Sequence, residues 1–478
     1  MTLTAQSFGQ ANFANASLGD QRRTKRLVSL VDQMCTRPGG TLPQKFRSPA
    51  DLQAFYRLMS CDQVTHDSII APHRAATMEK IEQIEGPVLV IHDTTELDYT
   101  KHESLTELGQ IGCGTRRGYI THNSLAVRAD NGEPIGLVNQ VLHRRAKVSK
   151  KETRAARRKR SSRESLLWSK GVAPLPANQQ LVDVCDRGAD NFEFLQHEMD
   201  SGRRFVIRSS YNRRIFVGHS EPEQAEQSKL HDHLKSLDAI GTWELEVTSK
   251  SELRRGRGKQ KKRRVHRCKR SATMAVTVAA VQIRPSKCKG ANRLETLRMW
   301  AIRVWEINPP EGQERLDWVL LTNERQRGFA SAYRVVEWYE RRWIIEEYHK
   351  GMKTGCRIEG LQFTCEARLQ PAIALLSVVT LTLLQLRDAS RRDDAETRPA
   401  TEVISRNYSE VLSLWRHKRV REDWTVHDFY MALARLGGHL NRKHDHPPGW
   451  QVIWEGWKEL LPMAIGYDAG KASRKRCG

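Results

Sequence analysis

Cysteine is scarce in this chain and follows no pairing pattern. The 478 residues hold 9 cysteines, scattered and with no C-x-x-C pair. An odd, dispersed set argues against a disulfide framework or a zinc site and for a reducing compartment. Long apolar runs are missing too. The longest, Pro371 to Leu386, is interrupted by Ser377, Thr380, Thr382 and Gln385. It is shorter than a bilayer requires and predicts a buried helix, so no membrane partner is expected. Gln, Asn and Arg punctuate the opening residues, and no secretory signal is expected. No internal repeat is visible. Acidic residues are in deficit, with 56 Asp+Glu against 79 Lys+Arg and a formal net charge of +23. An excess of that size favours a polyanionic partner, and nucleic acid in a cytoplasm is the expectation.

A chain of this length exceeds one ordinary core. Residues 1 to about 75 read as helical. Asp20 is placed to cap a helix that carries Arg22, Arg23, Lys25 and Arg26, and Ala50 to Ser60 reads as another helix. From about 76 to 370 the pattern is α/β. Val88-Leu89-Val90-Ile91 predicts a buried strand ending at Asp93, and Leu181 to Cys185 another ending at Asp186. The alternating segments around Asp130-Asn131-Gly132 predict a hairpin. The basic stretch Arg144 to Arg163 predicts an exposed loop or helix end. Residues from about 210 to 300 read as a β-rich insertion, with a hairpin whose tip carries the cations between Arg254 and Arg264. Trp318 to Leu321 predicts a strand, and one long helix is predicted from about Ala330 to Lys353. Residues 371–478 read as helical, giving three consecutive domains.

The predicted helix after Ala330 is the most informative segment. Tyr339, Arg342, Glu346 and Lys353 are spaced by three, four and seven residues. On a regular α-helix they fall within about 60° of one another, so an acid, two cations and a phenol share a face. A surface salt-bridge ladder has the same spacing. Asp93 and Asp186, each following a strand, supply two more carboxylates, although Asp after a strand is also a common cap or turn residue. Three gathered carboxylates repel unless a divalent ion neutralises them, and an all-oxygen set suits Mg²⁺ or Mn²⁺. Two such ions can support in-line phosphoryl displacement.

Several blocks together resemble one family. Ile91-His92-Asp93-Thr94-Thr95, Val184-Cys185-Asp186-Arg187, and the Tyr339, Arg342, Glu346, Lys353 spacing are similar to the motif regions of bacterial DDE transposases of the insertion-sequence four family. Leu18 to Thr24 resembles the family's end-recognition segment, and Arg204 to Ser209 the strand after the second Asp. Trp318 to Thr322 resembles the strand before the catalytic helix. Tyr430 to Gly438 and Trp454 to Trp457 resemble the C-terminal dimerisation region.

The resemblance implies a ribonuclease H-like catalytic core with a β-rich insertion, flanked by helical N-terminal DNA-binding and C-terminal dimerisation regions. It implies that Asp93, Asp186 and Glu346 are catalytic and hold two Mg²⁺ ions, with Mn²⁺ able to substitute. It implies cut-and-paste transposition: a homodimer binds double-stranded transposon ends, cuts them through a hairpin intermediate and joins the 3′ ends to target DNA. Tyr339, Arg342, Lys350 and Lys353 match phosphate-gripping positions, Trp318 a base-stacking aromatic, and Arg22, Arg23 and Arg26 end-recognition contacts. Arg208 and Arg187 are further phosphate candidates, with a structural ion pair as the alternative for each. A bacterial cytoplasm, at the nucleoid, is the implied location. Two positions depart from the pattern: Gly188 stands where a relative has Glu, and Ile344 where it has Arg.

Overall fold

The computed structural model describes residues 7–36, 40–46, 48–149, 151–219, 225–254, 263–285, 296–442, 445 and 447–476. Among them, the helices α1 (Phe8–Phe13), α2 (Gln21–Thr36), α3 (Leu42–Lys45), α4 (Pro49–Met59) and α5 (His66–Glu82) come first. Next are strands β1 (Val88–Asp98), β2 (Gly109–Gln110), β3 (Arg117–Arg128) and β4 (Pro134–His143), then helices α6 (Arg154–Lys159) and α7 (Leu167–Val172). The middle of the chain runs β5 (Leu181–Cys185), α8 (Phe192–Asp200), β6 (Arg204–Arg208), β7 (Arg214–Val217), β8 (Gln227–Lys229), α9 (Leu230–Lys235) and β9 (Gly241–Val247). Strands β10 (Lys250–Arg254), β11 (Arg263–Arg267), β12 (Arg270–Ile283), β13 (Leu297–Glu306) and β14 (Asp317–Thr322) follow. Helices α10 (Phe329–Glu340), α11 (Trp343–Lys350), α12 (Glu366–Val379), α13 (Leu381–Ala389), α14 (Arg406–His417), α15 (Val426–Leu436) and α16 (Trp450–Arg476) end the described chain. The architecture is mixed α/β.

The chain divides into two compact units, residues 1–85, 94–164 and 343–478 in the first and 86–93 and 165–342 in the second. These units are interleaved in sequence, unlike the three consecutive blocks that composition predicts. The N-terminal and C-terminal helices fall in one unit because the chain leaves it within β1 and returns at Trp343.

In the first unit, α2 begins as expected. Asp20 accepts a hydrogen bond from the Arg22 amide at 2.8 Å, and Leu27, Leu30, Val31 and Met34 form the buried stripe. The β3–β4 hairpin turns at Gly132, whose φ of 78° suits glycine. Helix α5 lies directly on β4: a Cβ at Gly136 would sit 2.2 Å from Thr77 Oγ1, so no larger residue fits. His73 of α5 is fully buried and donates from Nδ1 to Asn12 Oδ1 of α1 at 2.9 Å, while its Nε2 accepts the Leu137 amide of β4 at 3.0 Å. The apolar segment of α12 and α13, broken at Thr380, is long and apolar enough to cross a membrane by length and composition, yet 88% of its most apolar window is buried inside the protein. Helices α15 and α16 meet backbone to backbone, because a Cβ at Gly456 would lie 1.8 Å from the Leu433 carbonyl oxygen and one at Gly437 2.0 Å from that of Val452. Trp450, Trp454 and Trp457 are buried. The segment resembling a dimerisation region is thus occupied in packing within one chain. The basic stretch after β4 is pinned rather than loose: Arg144 pairs with Glu366 at 3.1 Å and Arg145 with Glu164 at 2.6 Å.

In the second unit β1 pairs in parallel with β5, and β5 in parallel with β6. From there the sheet is antiparallel in the order β6, β14, β13, β12, β7, with β9 also on β12. Phe194, Phe205, Ile207, Leu230, Val281 and Leu321 belong to its core. The expected β-rich insertion is present, and β10 pairs with β11 as a hairpin. Arg254, Arg263 and Arg264 end its strands, and the cations at 255–262 lie outside the described residues.

Two expectations need correction. Strand β1 does not stop at Asp93 but continues to Asp98, since Thr94 and Thr95 are β-branched and the chain runs on beside β3. The long helix from Ala330 to Lys353 is not continuous. Helix α10 ends at Glu340, Arg341 and Arg342 form a turn, α11 starts at Trp343, and residues Gly351–Gly355 form a π-helical turn closed by the Cys356 amide on the Gly351 carbonyl at 2.8 Å. The regular helix assumed in placing Tyr339, Arg342, Glu346 and Lys353 on one face is therefore interrupted twice, at Arg341–Arg342 and at Gly351. The two glycines that bound the last turn weaken regular helix there.

Burial pushes the His73 imidazole from its usual 6.5 down to about 3, with Lys80 and Arg74 adding to the effect. Below pH 6.5 the unfolded chain takes a proton that the folded chain refuses, so stability present above that pH is lost as the pH falls. The loss should approach about 1.4 kcal/mol per pH unit. Urea midpoints of His73→Gln measured between pH 7 and 5 should fall less steeply than those of the unaltered chain, and parallel slopes would contradict the assignment.

Candidate active site and nucleic-acid interface

The parallel register of β1 and β5 ends with His92 opposite Cys185. Asp93 and Asp186 are the next residue on each strand, so two half-buried carboxylates leave neighbouring strands at the same level. Adjacent strands are about 4.8 Å apart. Both charges reach the buried Cys185 thiol, which burial pushes up, with Glu198, Asp183, Asp186 and Asp93 adding to the effect. Asp186 also caps the turn after β5, accepting the Gly188 amide at 2.7 Å. The cap and a cation-binding role are compatible, since a carboxylate has lone pairs to spare. Gly188 is explained here: a Cβ would lie 2.8 Å from the Trp168 ring, which leaves no room for a larger side chain.

Arg342 meets Asp93, Nη1 to Oδ2 at 3.1 Å, and supplies a counter-charge to that carboxylate. Tyr339 is 9% exposed and lies close enough to the Arg208 side chain to feel its charge. Burial raises its phenol pKa, Arg208 and Arg342 oppose the shift, and Asp186 adds to it. Asp93, Asp186, Arg208, Tyr339 and Arg342 thus form one constellation in the second unit. Among the described residues no group of three or more His, Cys, Asp or Glu is placed to hold a metal ion.

Glu346 belongs to the first unit, on α11. Ile344, Ile345, Tyr348 and His349 form the buried face of that helix, and Glu346 and Lys350 share the exposed one. Burial of Ile344 explains the apolar residue at that position. Lys350 lies 6.0 Å from the centre of the Trp450 ring, and Lys353 sits in the π-helical turn.

Behind the strand ends lies a buried charged cluster that the sequence reading missed. His92 Nε2 meets Asp183 Oδ1 at 2.8 Å, and Arg203 Nε donates to Asp183 Oδ2 at 2.7 Å. Arg203 Nη1 also donates to the Leu175 and Pro176 carbonyls, each at 3.1 Å. Burial opposes ionisation of Asp183, but His92 and Arg203 outweigh it and hold the carboxyl below its usual range. Burial and the Asp183 charge push the Glu198 carboxyl well above its usual range, with Arg203 opposing. His92 directly precedes Asp93 in the sequence, but no local signal links it to Asp183 and Arg203.

Beside this constellation is a cleft of about 290 Å³ lined by Arg187, Arg208, His231, Lys235, Arg303 and Trp318, among others. Asp317 also lines it and pairs with Arg303 at 2.9 Å. Trp318, opposite Val304 on β13, has an indole N–H with no hydrogen-bond partner among the described residues. Cations for phosphate and a part-exposed indole for a base are the surface that nucleic acid requires. His231 and Lys235 come from α9 and Arg303 from β13, and only the fold brings them to Trp318 and Arg208.

At the N-terminus, Arg22 and Arg26 are exposed on α2. Arg23 has a structural engagement instead: its Nη1 donates to the Leu18 carbonyl and to Gln63 Oε1, each at 2.9 Å, tying α2 to the chain before α5. Residues 5–64, which contain all three arginines, match the sequence family described as Transposase DNA-binding. That match supports a transposase. Among solved structures the chain is similar to a cryo-EM structure of the piggyBac transposase synaptic complex with hairpin DNA. The identity is 6%, the TM-score is 0.32, and the similarity covers 94% of this chain and 73% of that one. Similarity at this level defines no shared fold.

Removing one partner of a buried ion cluster strands the other charges, at a cost of about 3–5 kcal/mol. Asp183→Ala should therefore lose roughly that much stability in urea unfolding. A loss below about 1 kcal/mol, the range of an exposed pair, would show that the cluster is not structural.

Proposed function

We propose that this chain is a cut-and-paste DNA transposase of the insertion-sequence four family, with a ribonuclease H-like core and Asp93, Asp186 and Glu346 as its catalytic carboxylates. The observation that carries the proposal is the emergence of Asp93 and Asp186 side by side from neighbouring parallel strands, in a chain whose residues 5–64 match a transposase DNA-binding family. The parallel β1, β5, β6 arrangement in one unit and the antiparallel β3–β4 hairpin in the other support the core assignment. The donor set is all carboxylate oxygen, which fits Mg²⁺ or Mn²⁺ rather than a softer ion. When bound, two such ions supply charge neutralisation and activation of water or a 3′-hydroxyl for in-line phosphoryl transfer.

The chain's own residues do the rest. Arg22 and Arg26 on α2 contact the end duplex, and Arg23 holds α2 in place. Arg208, Lys350 and Lys353 bind phosphates, and the buried Tyr339 orients Arg208. Arg342, which pairs with Asp93, would be free to bind phosphate where cations took over that carboxylate. Trp318 stacks on an unpaired base of the transposon end, which offsets the stacking lost when a strand folds back as a hairpin. In each chemical step an oxygen bonds to phosphorus, the opposite P–O bond breaks, and the departing oxygen takes up a proton. Water is the first nucleophile, the freed 3′-hydroxyl the second, water opens the hairpin, and the 3′-hydroxyl finally attacks target DNA. A homodimer brings the two ends together.

Asp93→Ala, Asp186→Ala and Glu346→Ala should each abolish Mg²⁺-dependent cutting of a linear end fragment while end binding in a gel-shift assay persists. Cutting that survives any of the three would refute the triad, and pre-cut ends that are never joined to target would indicate a nuclease. Because docking is led by phosphate contacts, end affinity should fall about a thousandfold or more between about 50 and 200 mM salt. A binding constant that is flat across that range would exclude phosphate-led docking.

A further inference from the structure

The first unit contains a chain of buried polar side chains that none of the roles above uses. His66, the first residue of α5, points Nε2 at Gln140 Oε1 on β4 at 3.1 Å. Gln140 Nε2 donates to Asn123 Oδ1, its direct cross-strand neighbour on β3, at 2.8 Å, and to Ser377 Oγ of α12 at 2.9 Å. Asn123 Nδ2 meets His349 Nε2 of α11 at 3.0 Å. The residue before His349 joins from the other side, with Tyr348 OH donating to the Ser377 carbonyl at 3.0 Å. Asn123 and Ser377 are fully buried, Gln140 is 3% exposed and His349 7%.

The chain has a direction. An amide nitrogen only donates and an amide oxygen only accepts. His349 Nε2 must therefore accept from Asn123, and Asn123 Oδ1 must accept from Gln140. Gln140 Oε1 is left to accept from His66. No member can reverse alone without opposing donor to donor or acceptor to acceptor in a buried site, so the four side chains lock one another's orientation. The anchor acts on α11 at two consecutive residues, and Glu347 on the same helix pairs with Arg387 of α13. Glu346 is one residue before that pair and three before His349, and Lys350 directly follows His349, so the anchors set the rotation at which both are presented. The other end of the chain is His66, two residues beyond the segment that matches the transposase DNA-binding family.

We propose that Asn123 and Gln140 are positioning residues, which hold α11 through His349 in the rotational setting that presents Glu346 and Lys350 and tie that setting to the start of α5. The proposal rests on the reading of Glu346 as a catalytic carboxylate. Neither residue touches substrate or cation. Their effect is on geometry, which in oriented sites is worth about 10–100-fold in activity.

The test uses full-length Asn123→Leu, Gln140→Leu and His349→Gln. Two measurements are made on each: hydrogen–deuterium exchange of residues 343–350, with α15 and α16 as internal reference, and Mg²⁺-dependent cutting of an end fragment alongside end affinity. Asn123→Leu and Gln140→Leu should speed exchange in 343–350 about tenfold with the reference unchanged. Their cutting rate should fall about tenfold or more at nearly unchanged end affinity. His349→Gln keeps an acceptor for Asn123 and should retain most of the rate. Unchanged exchange in 343–350, equal acceleration of the reference helices, or loss of affinity in step with rate would each overturn the positioning role. The proposed function fails separately, if the unaltered chain cuts no DNA. The exchange pattern then still decides whether the chain of hydrogen bonds holds α11.

Discussion

Parallel pairing between β1 and β5 is the constraint on which the site depends. Parallel strands in register hold facing residues at the same level, and the residue after the last paired position, within β1 and just past the end of β5, is an aspartate. Two carboxylates held that close repel, and the protein tolerates them because Arg342 faces Asp93 and the Gly188 amide faces Asp186. The strand ends are stiffened from behind by His92, Asp183 and Arg203, a cluster that costs desolvation and returns a single geometry. Preorganisation of this kind lets a site meet developing charge without rearranging first.

In the second unit, positive charge collects in a cleft beside that pair of acids. Arg187, Arg208, Lys235 and Arg303 line the cleft that holds Trp318, and Arg22 and Arg26 are exposed on α2. Other cations have been spent on structure. Arg23 caps carbonyls, Arg74 bonds β4, Arg144 and Arg145 pin the segment after the β3–β4 hairpin, and Arg387 holds α11. A net charge of +23 is thus partly exposed cationic surface and partly internal scaffolding, and the total alone does not separate the two.

Much of the architecture was legible because local physics dominated there. Asp20 capping α2, the hairpin at Gly132 and the buried strand after Pro87 follow from capping, turn and hydrophobic signals, and all are present. Buried packing of the α12–α13 segment also follows its composition. The continuous helix from Ala330 to Lys353 failed for a reason a spacing rule cannot hold. The turn at Arg341 and Arg342 coincides with the passage of the chain from one compact unit to the other, and the glycine-bounded π-helical turn alters the angular step before Lys353. Shared-face reasoning is valid only within α11, where Glu346 and Lys350 do lie on one exposed side.

By itself the sequence determined the excess of cations, the buried strand residues that precede Asp93 and Asp186, the amphipathic pattern of α2 and the β-rich segment near 210–300, because each is written in charge or in periodicity over a few neighbouring residues. Tertiary structure alone decided that Asp93 and Asp186 emerge side by side and that His231, Lys235 and Arg303 join Trp318. It alone decided that Arg23 bonds the Leu18 carbonyl and Gln63 and that Asn123 reaches His349 across 226 positions. The physical reason is that hydrogen bonds and ion pairs act over a few ångströms of space, and separation along the chain carries almost no information about that distance once strands pair out of sequence order.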